Sequence, residues 1–167
     1  MMPENRFSTS PLDPLTRRSD GENVQTRQLV CFTIGDQTYG IEIRTVREIR
    51  AWSATTSLPN APDFVRGVTN LRGTVVPILD LRARFGHGQT EPTKAHVVIV
   101  VAIESRVVGI LVDTVSDILT VAETEIRPVP EIGGAAAQEY LDGLITQGDQ
   151  MIALVAADRI VAPVLVH

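Results

Sequence analysis

The chain has 167 residues, of which 44% are hydrophobic and 4% aromatic, and its formal net charge at pH 7 is −5. The acidic balance, with no basic run longer than Arg17-Arg18, argues against a nucleic-acid or anionic-lipid surface and favours a protein partner. The single cysteine excludes an internal disulfide, and with three scattered histidines it excludes the clustered ligands of a zinc site. No cofactor or metal is expected.

The sequence also lacks a membrane-spanning or export signal. Its longest uninterrupted apolar run, residues 97–103, is far shorter than the ~20 residues that cross a bilayer, and no basic-then-apolar stretch opens the chain. Abundant Val and Ile with few aromatic residues favour strands. We therefore expect a soluble, cytoplasmic, mostly β protein that does not insert into a membrane.

The N-terminal segment, residues 1–27, is predicted to be a disordered tail because its apolar residues are too sparse to form a core. A hairpin follows, in which residues 29–34 form a buried strand, 35–37 form a turn, and a second strand begins at Tyr39. Apolar residues alternate with polar residues or glycine in that second strand, which predicts one buried and one solvent-facing side. Cys31, in the first strand, is expected to pack as a small hydrophobe.

The segment between the two predicted hairpins is rich in proline, threonine and asparagine. This composition predicts a loop over residues 53–62, preceded by Trp52, a large ring at the end of a solvent-facing segment that core packing does not explain. A helical turn is predicted over residues 81–85, after the second hairpin. Residues 86–92 then form a linker-like loop at which a domain boundary is expected.

The second hairpin is the most distinctive local element. Two apolar runs, 65–71 and 74–80, flank a tight turn in which Gly73 supplies a positive φ, and Arg72 is left at the tip. Pro77 has no backbone N–H to donate, so the second arm is predicted to be an edge strand or to carry a bulge. By itself an arginine at a turn is most often a solvated cation, and a partner's carboxylate is the other candidate for its counter-ion.

The chain also repeats itself. A shift of 69 residues superimposes residues 34–49 on 103–118, and a shift of 76 superimposes residues 64–68 on 140–144. Each copy has about 60 residues, which is marginal for a domain on its own, so two small β-barrels that share a core are expected.

These barrels define the expected domain organisation. We assign residues 28–92 to the first barrel and 93–162 to the second, and we allow for strands to be exchanged between them. Residues 163–167 are left as a C-terminal tail.

The copies differ at two charged positions, because Gly148 and Ala156 align with Arg72 and Asp80. This difference argues against a structural role shared by both copies. Asp80 and Asp113 are also the only motive for a reading as a small enzyme, because the chain offers no assembled nucleophile, base or phosphate-binding loop. A structure in which these carboxylates are far apart or bond to backbone would remove that motive. No catalytic residue is predicted.

Several stretches of the chain resemble the CheW family of chemotaxis coupling proteins. The resemblance covers residues 28–162 and is most specific in the Asn-Leu-Arg-Gly turn, with Pro77 and Asp80 behind it. The stretches that carry it are 35–43, 46–49, 67–81, 107–113, 126–130 and 140–144. It implies two SH3-like, five-stranded β-barrel subdomains, related by internal duplication and sharing a hydrophobic core, with short helical turns.

The resemblance implies an adaptor and not an enzyme. Family members couple transmembrane chemoreceptors to the histidine kinase CheA in membrane-bound signalling arrays, and the cytoplasmic tip of a methyl-accepting receptor is expected in a groove between the barrels. The positions that match the family's receptor-binding residues are Val46, Glu48, Gly67, Asn70 and Arg72. Val46 is expected to bury apolar surface, Gly67 to allow close backbone approach, and Arg72 to form a charge-assisted bond. A second surface, whose residues are unknown, is expected to bind the CheA regulatory domain.

The alternative implied by the same fold is a stand-alone regulatory domain of a chemotaxis-type kinase or a related signalling protein. Such proteins carry catalytic or receiver domains, for which the short N-terminal tail leaves no room. The chain departs from many family members in two places: Val155-Ala156 stand where Leu-Asp is common, and no C-terminal helix is obvious before His167. Neither departure touches the groove residues, so both concern only the packing at the end of the chain.

Overall fold

Strands make up most of the chain that the computed structural model describes, which is residues 24–130 and 139–165, with side chains as far as residue 162. The strands are β1 (Thr26–Ile34), β2 (Gln37–Glu42), β3 (Val46–Ala51), β4 (Val65–Leu71), β5 (Thr74–Asp80), β6 (Val97–Ile103), β7 (Arg106–Val112), β8 (Thr114–Ala122), β9 (Leu141–Gln147) and β10 (Gln150–Val155). The α-helices are α1 (Leu81–Arg84) and α2 (Ala157–Leu165), and 3-10 turns lie at Ile43–Thr45 and Glu123–Glu125. The predicted mostly β class with short helical turns is confirmed.

The strands form two five-stranded sheets. The order in the first sheet is β8-β1-β2-β10-β9, and the order in the second sheet is β3-β6-β7-β5-β4. Each sheet takes one hairpin, β1–β2 or β6–β7, from one half of the chain and its other three strands from the other half. Neither residues 28–92 nor residues 93–162 therefore form a sheet alone, and the strand exchange left open by the sequence is what the topology shows.

Each sheet is curled, so that the segment after one of its edge strands pairs with its other edge strand. After β3, Thr56 forms a two-bond backbone bridge with Val68 of β4, at 2.9 and 2.8 Å. After β8, Arg127 forms the same bridge with Leu144 of β9, with both bonds at 2.8 Å. Val68 and Leu144 are related by the second shift of the sequence repeat, so the two curled sheets share one architecture. They agree with the expected SH3-like subdomains.

Three apolar clusters hold the sheets. The central cluster joins the two sheets, with Phe32 and Tyr39 from the first and Ile99 and Ile110 from the second. The cluster inside the first sheet consists of Leu29, Cys31, Val121, Ile145, Ile152 and Leu154. The cluster inside the second sheet consists of Leu71, Val76, Ile78, Val98, Val100 and Leu111. Cys31 is buried and packs as a small hydrophobe, as predicted.

The start of the ordered chain was predicted too late. Residues 1–23 of the predicted tail lie outside the described residues, but β1 already begins at Thr26. Thr26 and Arg27 pair with the end of β8, and the Arg27 guanidinium donates to Glu123 at 2.7 Å and to Glu42 at 3.2 Å. These contacts are made by residues distant in sequence, so the local composition of the tail could not indicate them.

The predicted solvent-facing side of β2 is wrong. Residues from Thr38 to Ile41 are all buried, because β2 lies in the middle of the first sheet between the central cluster and that sheet's own cluster. A Cβ added to Gly40 would lie 3.2 Å from Leu29 Cδ1 and 3.5 Å from Ile152 Cγ2. Glycine in this alternation therefore marks a close contact and not a solvent-facing position.

The second hairpin has the predicted bounds, but its second arm is not an edge strand. β5 lies between β4 and β7, and β4 is the edge. Pro77 is tolerated inside the sheet for two reasons. Its partner Val68 forms both of its backbone hydrogen bonds with Thr56, so Val68 needs no N–H from Pro77. On the other side, the pairing of β5 with β7 begins only at Ile78. The β4–β5 register shifts between Val65 and Gly67, so the extra residue lies in β4, whereas Pro77 pairs regularly with Val68. A bulge in the second arm at Pro77, the other predicted outcome, is therefore also wrong.

The end of the chain contains a helix that the sequence analysis missed. α2 runs from Ala157 to Leu165, so the predicted tail 163–167 is wrong as far as Leu165. Its buried Ile160 and Val161 belong to the central cluster. Pro163 within the segment is a helix-breaking signal in the sequence, whereas the helix depends on the packing of Ile160 and Val161 in the core, which local sequence does not show.

The two halves of the chain also meet at Arg84, in α1. Its guanidinium carbon lies 4.6 Å from the ring centroids of both Phe64 and Tyr140, which are matching residues of the two copies. The same guanidinium donates to the Tyr140 hydroxyl at 2.8 Å and to the Ile160 carbonyl at 3.2 Å. Arg84 thus ties the loop before β4, the segment before β9 and helix α2 together.

Candidate partner-binding site

The predicted site is built around the turn between β4 and β5. Arg72 (φ 51°) and Gly73 (φ 90°) both have positive φ, as a two-residue type I′ hairpin turn requires. Asn70 closes the turn, because its Oδ1 accepts a hydrogen bond from the Gly73 N–H at 2.8 Å. A non-glycine residue at positive φ is uncommon, so backbone strain is tolerated to hold Arg72 at the tip, where its side chain is 70% exposed.

Glu48 of β3 is the ionic partner of Arg72. A guanidinium nitrogen of Arg72 donates to Glu48 Oε2, and Arg50 Nη1 lies 3.2 Å from Oε1 of the same carboxylate. The hydrogen bond from Arg72, assisted by that from Arg50, holds the pKa of Glu48 below its usual range, and the pairing raises the pKa of Arg72. Two guanidinium groups therefore share one carboxylate, which leaves an excess of positive charge at the surface.

Val46 and Gly67, two further predicted site residues, have roles in the fold. Val46 is half-buried at the start of β3 and packs against the central cluster. Gly67 is buried, and a Cβ there would overlap Thr56 O and lie 2.8 Å from the Thr56 carbonyl carbon. The close backbone approach predicted for Gly67 is therefore made by the chain's own segment after β3. The structure brings Glu48 into contact with Arg72. Asn70 shapes the β4–β5 turn that carries Arg72.

A narrow cleft opens beside the ion pair, between the end of β3 and the edge strand β4. The space inside it is about 10 Å³, little more than one water molecule occupies, and the Arg66 guanidinium carbon lies 5.8 Å from the centroid of the Trp52 ring. Its apolar floor consists of Trp52, Leu71, Ile78, Val98 and Val100. Arg50, which bonds to Glu48, lies on its rim. Sequence reasoning missed the cleft because its walls come from separate strands, and only the unexplained ring of Trp52 pointed to it.

Asp80 has a structural role. Its side chain is fully buried and accepts hydrogen bonds from the backbone N–H and the hydroxyl of Thr90, both at 2.7 Å. It also caps α1 by accepting from the Ala83 N–H at 3.4 Å, and Arg66 Nη1 lies 3.8 Å away. The carboxylate therefore pins the loop between the two halves of the chain to the end of β5.

Asp113 is held by a different set of groups. It accepts hydrogen bonds from the Gly35 N–H at 2.8 Å and from Arg82 Nη2 at 3.0 Å, and His96 Nε2 lies 3.5 Å from its other oxygen. Because Asp80 and Asp113 each bond to backbone and to separate partners, the carboxylate pair that motivated a reading as an enzyme does not form.

Two general features of the described residues bear on the site. Within residues 24–130 and 139–165, no group of three or more His, Cys, Asp or Glu side chains is placed to hold a metal ion. In the same ranges no helix combines the length and the apolar character needed to cross a membrane.

A family model described as CheW-like domain matches residues 28–163. The chain belongs to the CheW family. It is 47% identical over 134 residues to the chemotaxis protein CheW of Rhizobium meliloti, covering 80% of this chain and 86% of that protein. It is 45% identical over 142 residues to CheW of Klebsiella aerogenes, covering 85% of each.

A solved CheW structure shows the same fold. The scaffolding protein TtCheW from Thermoanaerobacter tengcongensis matches with a TM-score of 0.72 and 30% sequence identity, covering 78% of this chain and 89% of that one. The family suggested by the resemblance over residues 28–162, most specific at the second hairpin, is therefore confirmed by comparisons that span most of the chain.

Proposed function

We propose that this CheW-family chain is a chemotaxis adaptor that couples chemoreceptors to the histidine kinase CheA by non-catalytic binding. The observation that carries the proposal is the exposed ion-pair cluster of Arg72, Glu48 and Arg50, held at a strained hairpin tip. Strain at an exposed arginine is consistent with a recognition role, because the ion pair of Arg72 with Glu48 lies at the surface, where such a pair contributes little to the stability of the fold.

Apolar surface beside the cluster supports the same role. Ile49, next to Glu48, is 46% exposed, and Val75, which pairs with Asn70 across the hairpin, is 64% exposed. Protein partners bury apolar groups and use charged groups at the rim to fix orientation, so this combination suits a protein ligand. We assign the receptor's cytoplasmic tip to this surface.

A second partner needs a second surface. The ion-pair cluster belongs to the second sheet, whereas Ile118 and Met151 are exposed on the first sheet. Large exposed apolar residues often mark a surface that binds another protein. We place the regulatory domain of CheA on the side of the first sheet, without assigning its contacts to individual residues. In this role the chain works in the cytoplasm and is recruited to membrane-bound receptor arrays.

The adaptor is favoured over a stand-alone regulatory domain of a kinase. The chain covers 86% and 85% of the lengths of two CheW relatives, and it covers 89% of the scaffolding protein of known structure. These two relatives of similar length are chemotaxis proteins named CheW.

The test is a binding measurement with Arg72→Ala. Loss of a directed, charge-assisted bond is expected to weaken binding of a receptor signalling fragment about tenfold, and to leave binding of the CheA regulatory domain unchanged. Arg44→Ala is the matched control, because Arg44 is an exposed arginine that also pairs with a glutamate, Glu42. Unchanged receptor affinity for Arg72→Ala would overturn the site, and failure of the unaltered chain to bind either partner would overturn the adaptor.

A further inference from the structure

A groove opens between the two sheets at the start of helix α2. Its space of about 340 Å³ is within the range of pockets that hold ligands, so it has room for a side chain of another protein. Its floor consists of three buried apolar residues, Ile103 of β6, Val155 of β10 and Ala157 of α2. Three carboxylates line its walls, those of Glu42, Asp142 and Asp158. We call this site the α2 groove.

The sequence repeat gives the α2 groove a counterpart in the other half of the chain. The shift of 76 residues places Leu81, where α1 begins, on Ala157, where α2 begins. The structure keeps the same alignment, because the parallel pairing of β5 with β7 has the register of the pairing of β10 with β2. The start of α1 therefore shows the same architecture with a different lining.

The apolar residues of the counterpart are larger. Leu79 and Leu81, both fully buried, stand where the α2 groove has Val155 and Ala157. Leucine carries more carbon atoms than either valine or alanine, so the packing that fills the counterpart is incomplete in the α2 groove. The floor of the groove is thus left within reach of a side chain from outside.

The charges at the two places are reversed and differently paired. Under the repeat, Arg82 corresponds to Asp158, and Asp113 corresponds to Arg44. Arg82 and Asp113 form an ion pair at 3.0 Å, which joins α1 to the segment before β8. Arg44 pairs instead with Glu42, at 2.9 Å. The ion pair that spans the counterpart thus has no equivalent among the described residues of the α2 groove.

One carboxylate of the groove is left without a partner. Glu42 bonds to two arginines, and Asp142 bonds to Arg159 at 3.0 Å. The Asp158 carboxylate forms no hydrogen bond or ion pair with any residue of the ranges 24–130 and 139–162. A long basic side chain fits this arrangement, because its apolar stem can pack on the floor while its charged head bonds to Asp158.

Asp158 also has a role in the helix itself. An acidic residue in the first turn stabilises a helix through the helix dipole, and Asp158 lies in the first turn of α2. That role accounts for the charge of Asp158 but not for the open apolar floor beside it. The floor and the unpaired carboxylate together are what favour an occupant of the groove.

The location and the charge of the groove indicate which partner it suits. β2, β9 and β10 of the first sheet, together with α2, supply most of its lining. That sheet is the side on which we place the regulatory domain of CheA. The cluster of Arg72, Glu48 and Arg50 on the second sheet has an excess of positive charge and suits an acidic segment, whereas the α2 groove suits a basic one.

We propose that the regulatory domain of CheA inserts one arginine or lysine side chain into the α2 groove. The stem of that side chain packs on Val155 and Ala157, and its charged head forms a charge-assisted hydrogen bond with the Asp158 carboxylate. The inference rests on the proposed function and assigns residues to its kinase-binding surface.

The first test reverses the charge of the groove. Asp158→Arg gives the groove the charge that Arg82 gives the counterpart, so it is expected to weaken binding of the CheA regulatory domain at least about tenfold and to leave binding of a receptor signalling fragment unchanged. Asp63→Arg is the matched control, because Asp63 is an exposed aspartate that does not line the groove, and its affinity for the CheA domain is expected to equal that of the unaltered chain. Retained affinity for the CheA domain in Asp158→Arg would overturn the proposal.

The second test fills the floor of the groove. Ala157→Leu supplies the side chain that the counterpart has in Leu81, so it is expected to weaken binding of the CheA domain about tenfold. A denaturant unfolding curve accompanies the measurement because Ala157 is buried, and a folded variant with full affinity for the CheA domain would overturn the insertion. If this variant does not fold, Asp158→Arg decides alone, since Asp158 is exposed.

Two further outcomes separate this inference from the proposed function. Loss of receptor binding in place of CheA binding, in either variant, would assign the α2 groove to the receptor and overturn the inference while leaving the adaptor proposal intact. Absence of binding to both partners by the unaltered chain would overturn the adaptor proposal itself.

Discussion

Cys31 is a thiol that the fold removes from solvent. It is 3% exposed in β1 and packs in the cluster inside the first sheet. Burial, with a smaller contribution from the charge of Asp117, raises the pKa of its thiol. Because the thiolate is the reactive form, restricted access and the raised pKa both oppose modification at neutral pH.

We therefore expect Cys31 in the native protein to react with an aromatic disulfide reagent on the order of 10³-fold or more slowly than in the denatured chain, since reaction requires opening of the sheet. The release of coloured thiolate, followed with and without denaturant at the same pH, measures both rates. Equal rates would show that β1 opens freely and that the cluster around Cys31 is not tightly packed.

At the scale of elements, the second hairpin shows why some local structure can be predicted closely. The bounds of β4 and β5 and the positive φ at the turn follow from local chemistry, namely two apolar runs and the glycine between them. The position of β5 inside the sheet does not follow from it, because the neighbouring strand β7 belongs to the other half of the chain. Pro77 was misread for that reason.

The role of Gly67 is a testable consequence of the crossing after β3. Gly67→Ala is expected to lower the free energy of unfolding by roughly 3 kcal/mol or more, because a Cβ would meet the Thr56 backbone in addition to the strain of a positive φ. Gly73→Ala shares the positive φ but has open space around it, so it is expected to cost only roughly 1 kcal/mol.

Chemical denaturation of the two variants measures the difference. Equal losses would mean that the crossing segment moves aside easily and that Gly67 matters only through its backbone conformation. A strongly destabilised Gly67→Ala would also mean that any loss of receptor binding by this variant reports on the fold and not on a direct contact.

At the scale of the whole molecule, the exchange of strands makes the halves interdependent. Each sheet is completed by strands of the other half, the central cluster draws on both, and Arg84 lies between the matching rings of Phe64 and Tyr140. Breaking one sheet exposes apolar surface of the other. We expect the domain to unfold as one cooperative unit in spite of its internal repeat.

Two natural probes test this cooperativity. Trp52 packs on the second sheet and Cys31 lies in the first, so each reports a different sheet. The change in Trp52 fluorescence and the exposure of Cys31, measured by brief pulses of thiol labelling, are expected to share one denaturant midpoint. Exposure of Cys31 at a clearly lower denaturant concentration would show that the first sheet unfolds separately.

The sequence by itself determined the class of the fold, the repeat, the second hairpin with Arg72 at its tip, and the family. These depend on local patterns of apolar residues, on turn chemistry and on similarity along the chain. Only the tertiary structure decided that β2 is covered on both sides, that α2 packs on the central cluster, that the chain's own backbone lies against Gly67, and that Glu48 pairs with Arg72. Each of these depends on contacts between segments far apart in sequence, where curling of the sheets and exchange of strands set the neighbours.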